Sequence, residues 1–283
     1  MPNLSESKTT IVTKSVQLNA KNPEQLAAFY NQAIGLTIIK QENEAFALGT
    51  PEGEILLNIH PTVVSPNEET TGMYHLALLL PTYEDLGTIL RHLIVNKIPV
   101  TGASDHGYSN AIYLDDPEGN GIEIYWDKPQ SEWDIKEDGQ IAGVTEPMDA
   151  ESALEAAQTS FKGMPNGTTM GHVHLHVDEL DNSLDFYANV LGLGLKYKFG
   201  PQALFLASGD YHHHLGANVW KQGQLDHPEA DAPGMDHMTW SGSKEDLEFI
   251  ESNLKAQDFD YEKMDNGLSF KDPAGIKHQV VSA

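Results

Sequence analysis

The chain repeats itself, and this duplication constrains its fold more strongly than any other feature of the sequence. Residues 18–36 and 175–193 share one register, in which a Phe-Tyr pair is followed by an aliphatic residue, a glycine and a leucine. An Asp-Pro-x-Gly segment recurs as well, at residues 116–119 and 272–275. Because a sequence repeated at a fixed spacing folds into a repeated structural unit, the chain is predicted to contain two copies of one module.

The modules are predicted to span residues 11–128 and 169–283, with a linker at residues 129–168. A chain of 283 residues is long enough for two domains that each bury a core. The linker is acidic, is interrupted by prolines, and has helical character only around residues 150–157. The opening segment, Met1 to Thr10, is polar and is expected to be a disordered leader.

Each half of a module has the same order of predicted elements. A short alternating strand leads into an amphipathic helix, and short strands punctuated by glycine follow. Each module therefore reads βαβββ twice, and the chain contains four such units, the first to the fourth in chain order. The predicted fold class is α+β, with two curved mixed sheets that are each formed by a pair of units closing around a cup.

The balance of charge excludes several classes of function. Lys and Arg number 17 against 42 Asp and Glu, and the formal net charge of −25 repels phosphate backbones and anionic membrane surfaces. We therefore expect neither a nucleic-acid nor a membrane partner.

The cytoplasm is the expected location, because the polar start lacks the apolar core of a secretory signal. Cysteine is absent, so any metal site must use His, Asp or Glu.

The segment from His106 to Glu123 contains the most chemically informative pattern. His106, Tyr113 and Glu123 lie on two predicted strands that an Asp-Pro-x-Gly turn joins into a hairpin. Glu123 is flanked by Ile122 and Ile124, so it points to the face opposite its apolar neighbours. Alternation alone allows this face to be either solvent or the interior of a cup.

Two histidines occupy equivalent positions in the repeated units. His75 begins a strand of the second unit, and His172 begins the first strand after the linker. Two neutral imidazoles and the carboxylate of Glu123 on adjacent strands would form the arrangement that suits non-haem Fe(II) and leaves coordination positions open. Fe(II) is therefore the expected cofactor, and Mn(II), Zn(II) or Ni(II) would fit the same ligands.

The segment from His106 to Glu123 resembles the extradiol dioxygenase signature in every constrained position except the first, where this chain has Ser104. The opening of the third unit, from Gly171 to Leu193, is similar to the start of a vicinal oxygen chelate unit. This superfamily includes glyoxalase I and fosfomycin-resistance proteins, and the resemblance covers nearly the whole chain. It implies two tandem glyoxalase/extradiol dioxygenase-like modules, and the chain resembles two-module catechol 2,3-dioxygenase-like proteins of Gram-positive bacteria.

The resemblance implies a role for five of the residues named above. His75, Glu123 and His172 match the metal ligands of the family. Tyr113 matches the active-site tyrosine, and His106 matches the histidine of the signature. The last two side chains are therefore expected to form hydrogen bonds with the substrate oxygens or with a reaction intermediate.

An acid–base histidine is also implied, within the run from His212 to His214. Two registers fit the family pattern, one with His213 and one with His214 in this role. We favour His214, because strand alternation places it on the same face as Asn218, the position that supplies a metal ligand in isomerase members.

The fourth unit departs from the usual dioxygenase pattern, in which the third and fourth units supply the ligands. It offers His237 and Gln279, and an amide is a weaker ligand for Fe(II) than a carboxylate. The first unit has Ser15 where the third unit has His172. The complete triad therefore requires the second and third units to share one cup, and it predicts a degenerate site in the cup of the first and fourth units.

The predicted function is extradiol cleavage of a catechol- or hydroquinone-type aromatic diol with dioxygen. One alternative is a glyoxalase-like metal-dependent isomerase, lyase or thiol transferase, which Asn218 in place of a fourth carboxylate ligand disfavours. Another is a non-catalytic protein that binds a small aromatic molecule.

The oligomeric state is open, since units paired within one chain achieve what single-module relatives achieve by dimerising. Four aromatic residues are open as cavity wall or core: Tyr108, Trp126, Phe205 and Trp220.

Overall fold

The computed structural model describes residues 4–67, 69–221 and 223–283. Each of the four units follows the predicted order of strand, helix and three strands. The first unit contains β1 (Val12–Ala20), α1 (Pro23–Phe29), a π-helical turn (Tyr30–Ile34), β2 (Thr37–Glu42), β3 (Ala45–Gly49) and β4 (Ile55–Pro61). The second unit contains β5 (Gly72–Leu79), α2 (Tyr83–Val95), β6 (Gly102–Asp105), β7 (Ser109–Asp115) and β8 (Gly121–Asp127).

The linker and the second half of the chain continue the series. The linker contains a short 3-10 turn (Gln130–Glu132), β9 (Asp134–Ile135), β10 (Ile141–Ala142), β11 (Glu146–Pro147) and α3 (Ala150–Ala156). The third unit contains β12 (Thr169–His176), α4 (Leu180–Asn189), β13 (Gly194–Phe199), β14 (Ala203–Ala207) and β15 (Leu215–Asn218). The fourth unit contains β16 (Gly234–Gly242), α5 (Lys244–Ala256), β17 (Tyr261–Met264), β18 (Gly267–Lys271) and β19 (Lys277–Ser282).

Local sequence signals explain where the helices begin. Asn22, Thr82 and Ser243 precede α1, α2 and α5, and each side chain accepts a hydrogen bond from a backbone N–H of the first turn. In α5, the carboxylate of Asp246 accepts a hydrogen bond from the backbone N–H of Ser243 and completes a capping box. The π-helical turn after α1 ends at Gly35, whose φ of 94° is a conformation that favours glycine.

The sheets confirm the predicted fold class and the predicted pairing of the units. The second and third units form a nine-stranded sheet with the linker strand, in the order β11-β6-β7-β8-β5-β12-β15-β14-β13. The fourth and first units form an eight-stranded sheet, in the order β17-β18-β19-β16-β1-β4-β3-β2. Both sheets curl into half-barrels, named here the second–third cup and the first–fourth cup. Each cup takes one unit from each half of the chain.

The two repeated motifs bind each other in both halves. The hydroxyl of Tyr30, in the first unit, donates a 3.1 Å hydrogen bond to Oδ2 of Asp116 in the Asp-Pro-x-Gly turn of the second unit. Tyr187 in the third unit donates in the same way to Asp272 in the fourth unit. All four side chains are buried. The repeated Phe-Tyr and Asp-Pro motifs therefore join the two cups to each other.

The opening segment is ordered where the structure describes it, so the prediction of a disordered leader is wrong for residues 4–10. The backbone of Lys8 donates to the carbonyl of Gly192, and the hydroxyl of Thr9 donates to the carbonyl of Leu191, both at 2.7 Å. These hydrogen bonds attach the segment to the third unit. Residues 1–3 of the predicted leader lie outside the described residues.

The linker packs against the second unit. Its predicted helical stretch is α3, which approaches α2 at Gly87, where a Cβ would come within 1.8 Å of the carbonyl oxygen of Ala153. Arg91 of α2 donates a 3.1 Å hydrogen bond to the carbonyl of Ala157 just after α3.

In the part of the chain that the structure describes, no helix has both the length and the apolar character needed to span a bilayer.

Candidate metal centre

Three neighbouring strands position the predicted metal ligands. His75 lies on β5, Glu123 on β8 and His172 on β12. The antiparallel strand β12 places His172 opposite Ala77 of β5, and the parallel strand β8 places Glu123 beside the same alanine. His75 shares a face of β5 with Ala77, two residues away. Because the side chain of Ala77 is small, the three longer side chains can converge in front of it.

The three ligand atoms form a nearly equilateral triangle. Nε2 of His75 lies 3.3 Å from Nε2 of His172, and Oε2 of Glu123 lies 3.1 Å and 3.2 Å from these two atoms. Ligand atoms about 2.1 Å from one metal ion, at adjacent corners of an octahedron, are about 3.0 Å apart. The triangle therefore has the size that a shared divalent cation requires.

Burial and charge give the triad the protonation state that binds a metal. Burial alone would raise the pKa of Glu123, but the charges and hydrogen bonds of His172 and His75 hold that pKa well below its usual value. Burial lowers the pKa of His172 to about 4. At neutral pH the site thus has a carboxylate and a neutral imidazole, and converging lone pairs of this kind are stabilised by a cation.

Tyr113 and His106 form a second layer beside the triad. Tyr113 lies directly opposite Glu123 in the pairing of β7 with β8. Nδ1 of His106 lies 2.9 Å from the carbonyl oxygen of Val144, and Nε2 lies 2.6 Å from the hydroxyl of Tyr113. A carbonyl only accepts, so Nδ1 of the neutral ring has the hydrogen and Nε2 accepts from Tyr113. The linker residue Val144 therefore orients His106, which orients the tyrosine.

The structure places His213, and not His214, against the triad, whereas strand alternation favoured His214. The ring of His213 lines the cavity above the triad, and its centroid lies 4.1 Å from that of His172. His214 does not line this cavity, and its Nδ1 accepts a hydrogen bond from the backbone of Ser208. Strand alternation does not extend to these residues, because β15 begins only at Leu215. Asn218 accepts a hydrogen bond from Nδ1 of His176 and lies outside the triad.

A cavity of about 270 Å³ opens in front of the triad. Since a cavity of about 150 Å³ holds benzene, this volume holds one substituted aromatic ring. Of the four aromatic residues left open by the sequence, Trp126 packs against Tyr83, with ring centroids 4.9 Å apart, and the other three line the cavity. The aromatic walls comprise Tyr74, Tyr108, Tyr197, Phe199, Phe205 and Trp220.

His174 also lines the cavity, and it is not among the residues predicted from the sequence. It follows His172 by two residues on β12, so the two side chains share a strand face. Gly216 leaves room for its ring, because a Cβ there would lie 2.7 Å from the imidazole. Nε2 of His174 is buried and has no hydrogen-bond partner among the described residues. The alternating His-x-His pattern was the signal that could have identified it.

The first–fourth cup repeats the register of the metal centre with different residues. Ser15 lies opposite Thr239 of β16, and Gln279 lies beside the same threonine. These are the positions of His172 and Glu123 relative to Ala77 in the other cup. A hydroxyl and an amide thus replace an imidazole and a carboxylate.

His237 is the equivalent of His75 in the first–fourth cup. It faces Gln17 of β1, as His75 faces His174 of β12, and its Nδ1 lies 2.6 Å from Oδ2 of Asp236.

Over residues 4–67, 69–221 and 223–283, the triad of the second–third cup is the single group of three His, Cys, Asp or Glu side chains close enough to share a metal ion.

The pattern of the Glyoxalase/Bleomycin resistance protein/Dioxygenase superfamily matches residues 13–124 and 169–280. The chain belongs to this superfamily. The match repeats once in each half of the chain, in agreement with the internal duplication. The superfamily and the two tandem repeats are the ones that the sequence predicted, and that prediction is confirmed.

One relative and two solved structures are similar to this chain. The catechol-2,3-dioxygenase of Bacillus subtilis (strain 168) is 36% identical over 264 residues, which cover 91% of this chain and 92% of that protein. The crystal structure of a candidate dioxygenase from Bacillus subtilis subsp. subtilis str. 168 matches with a TM-score of 0.65 and 16% identity, over 98% of this chain and 86% of that one. Glyoxalase I from Zea mays matches with a TM-score of 0.60 and 14% identity, over 96% and 92%. These two structures share the fold of this chain.

Proposed function

We propose that the protein is a metal-dependent extradiol dioxygenase that cleaves the ring of a catechol- or hydroquinone-type diol with dioxygen. The observation that supports this most is the triad of His75, Glu123 and His172 at the base of a cavity large enough for one aromatic ring. The 36% identity to a catechol-2,3-dioxygenase over 91% of the chain supports the same reaction. A cytoplasmic location is part of the same proposal.

Fe(II) is the metal that we propose for this site, held by Nε2 of His75, Nε2 of His172 and Oε2 of Glu123. Two imidazoles and one carboxylate on one face leave positions open, which is the ligand set of non-haem iron oxygenases. Bound there, the metal would hold the diol oxygens and carry electrons from the diol to dioxygen. Mn(II), Zn(II) or Ni(II) would fit the same three atoms.

The protein side chains position the diol and manage its protons. The aromatic walls would hold the ring of the diol against the open side of the triad. Burial lowers the pKa of His213 well below its usual value, so this imidazole is neutral at pH 7. Its Nε2 would take the proton of a diol hydroxyl and return it later in the reaction. Tyr113, whose hydroxyl donates to His106, would accept a hydrogen bond from a hydroxyl group of the diol.

The proposal is tested by dioxygen uptake in matched variants. The protein is purified without oxygen, loaded with Fe(II) and mixed with catechol or hydroquinone, while uptake and the yellow absorbance of a semialdehyde product are followed. We expect uptake in the wild type and in Gln279→Ala, and none in Glu123→Ala. Metal binding by the wild type without uptake on any diol would contradict the proposal. Thiol adducts, the substrates of glyoxalase-like isomerases and transferases, would then be tested.

A further inference from the structure

A hydrogen-bonded chain of three residues ends at His213. Asp127 is the last residue of β8, on the strand face that Glu123 also occupies. Its Oδ1 lies 2.8 Å from Nε2 of His212, and Nδ1 of His212 lies 2.7 Å from Nδ1 of His213. These hydrogen bonds therefore connect β8, the strand of the second unit that contains Glu123, to the loop of the third unit that precedes β15.

The donors and acceptors of this chain determine which nitrogen of His213 has a hydrogen. A carboxylate oxygen only accepts, so Nε2 of His212 must donate to Asp127. In its neutral form the ring of His212 has a single N–H, on Nε2, and in that form Nδ1 is an acceptor. It accepts the hydrogen on Nδ1 of His213. The free lone pair of His213 is then on Nε2, the nitrogen that remains for a molecule in the cavity.

Aromatic packing holds His212 in this orientation. Its ring stacks on Tyr108 with centroids 4.3 Å apart, and it lies 4.1 Å from the ring of Tyr211 and 5.3 Å from that of Trp133 in the linker. The hydroxyl of Tyr211 donates to Oδ2 of Asp127 at 2.9 Å, so both carboxylate oxygens are fixed. His212 and His213 are both buried.

Among the described residues, the first–fourth cup has no counterpart of these hydrogen bonds. Four residues after Glu123 lies Asp127, whereas four residues after Gln279 lies Ala283. The loop of the first unit that corresponds to the one with His212 runs from Thr50 to Glu54 and contains no histidine. The hydrogen-bonded chain thus occurs in the cup that has the complete triad.

We propose that Asp127 and His212 are positioning residues that fix the tautomer of His213, so that Nε2 of His213 is the proton acceptor in the cavity. This inference rests on the proposed function for its chemical purpose. The hydrogen-bond pattern itself is independent of the reaction, and it is measurable without turnover.

Two substitutions of His212 separate the proposed role from simple packing. His212→Phe keeps a ring that stacks on Tyr108 but has neither a donor nor an acceptor. His212→Gln keeps a donor group and an acceptor group and is the conservative control. The tautomer of His213 is read from its ring 15N chemical shifts in Zn(II)-loaded and in chelator-treated protein. The signals of His213 are identified by their absence in His213→Gln.

We expect the hydrogen of His213 on Nδ1 in the wild type and in His212→Gln, and a shift toward Nε2 in His212→Phe. With Fe(II) and catechol, kcat should fall about 10- to 100-fold in His212→Phe, with KM and metal content unchanged, since general acid–base catalysis contributes about 10²- to 10⁴-fold. His212→Gln should recover most of this loss.

A wild-type His213 with its hydrogen on Nε2 would overturn the inference, and so would an unchanged kcat in His212→Phe. Failure of the proposed function has a different signature. In that case the Fe(II)-loaded wild type consumes no dioxygen, but His213 has its hydrogen on Nδ1 in the wild type and shifts it toward Nε2 in His212→Phe. The positioning role of His212 is then upheld, and the protein catalyses a different reaction.

Discussion

The two cups of this protein have the same backbone register and different side chains at its centre. In the second–third cup, Ala77 is flanked by His172 and Glu123, and in the first–fourth cup Thr239 is flanked by Ser15 and Gln279. The Tyr–Asp hydrogen bond, in contrast, is kept in both halves. Features that both halves share therefore maintain the fold, and features that differ between the cups identify where chemistry can occur.

Glu123→Gln gives the second–third cup the amide of the other cup, and it should have the largest effect. An amide cannot replace the carboxylate charge that the buried site offers to a cation, so metal affinity should fall by more than about 100-fold. Metal content after dialysis and dioxygen uptake measure this loss.

Gln279→Ala is the matched control for that substitution, and it should keep both metal and activity. If Gln279→Ala releases the metal while Glu123→Gln retains it, the metal binds in the first–fourth cup and not in the second–third cup.

Ser15→His combined with Gln279→Glu converts the first–fourth cup in the opposite direction. His237 is already there, and its contact with Asp236 is the kind of carboxylate–histidine pair that orients metal ligands. We expect the variant to bind a second metal ion per chain. Titration with Co(II), followed by its visible spectrum, counts the sites, and a folded variant that binds no additional ion would show that register alone does not make a site.

Acid should destabilise the second–third cup before the first–fourth cup when no metal is present. Burial lowers the pKa of His172 to about 4 and that of His214 to about 3, from an ordinary value of 6.5. The unfolded chain therefore binds protons that the folded chain does not bind. The free energy of unfolding should fall as the pH decreases from about 6.5 toward 4, by up to about 1.4 kcal/mol per pH unit for each histidine.

Hydrogen exchange at several pH values, corrected for the intrinsic exchange rate, locates this loss. Amide hydrogen exchange reports the local opening of each part of a fold separately. The amides of β12 and β15 should therefore lose protection from exchange first. His214→Gln should reduce the pH dependence. Equal loss of protection in β1 and β19 would show that the buried histidines do not decide which cup opens.

Removal of the shared Tyr–Asp contact should have the smallest effect and a similar one in both halves. Tyr30→Phe and Tyr187→Phe each delete one buried hydrogen bond and should lower the free energy of unfolding by about 1–2 kcal/mol. Urea denaturation measures this change. Loss of activity in either variant while the metal is retained would show that the contact has a catalytic role as well.

The sequence could predict the parts of this fold that depend on repetition and alternation. The repeated motifs give four βαβββ units, and the absence of a carboxylate at Gln279 is enough to pair the second unit with the third. The face of Glu123 could not be decided from its apolar neighbours, because burial depends on the strand that lies opposite. His214 was preferred over His213 because alternation was extended into a loop, where it does not apply.

Other features depend on contacts between distant residues. Asp127 lies 85 residues before His212, and at the end of a strand an aspartate has no local pattern that indicates a buried partner. Trp126 and Trp220 have similar apolar surroundings in the sequence, yet one packs against Tyr83 and the other lines the cavity. The order of residues 4–10 likewise comes from backbone hydrogen bonds to the third unit, which composition does not reveal.

The most direct test of this account is the position of iron in a crystal of the Fe(II)-loaded protein, located by anomalous diffraction at the iron absorption edge. We predict one strong anomalous peak per chain, within bonding distance of His75, Glu123 and His172. A peak beside His237 and Gln279, or no peak in a crystal whose protein retains stoichiometric iron in solution, would contradict the account.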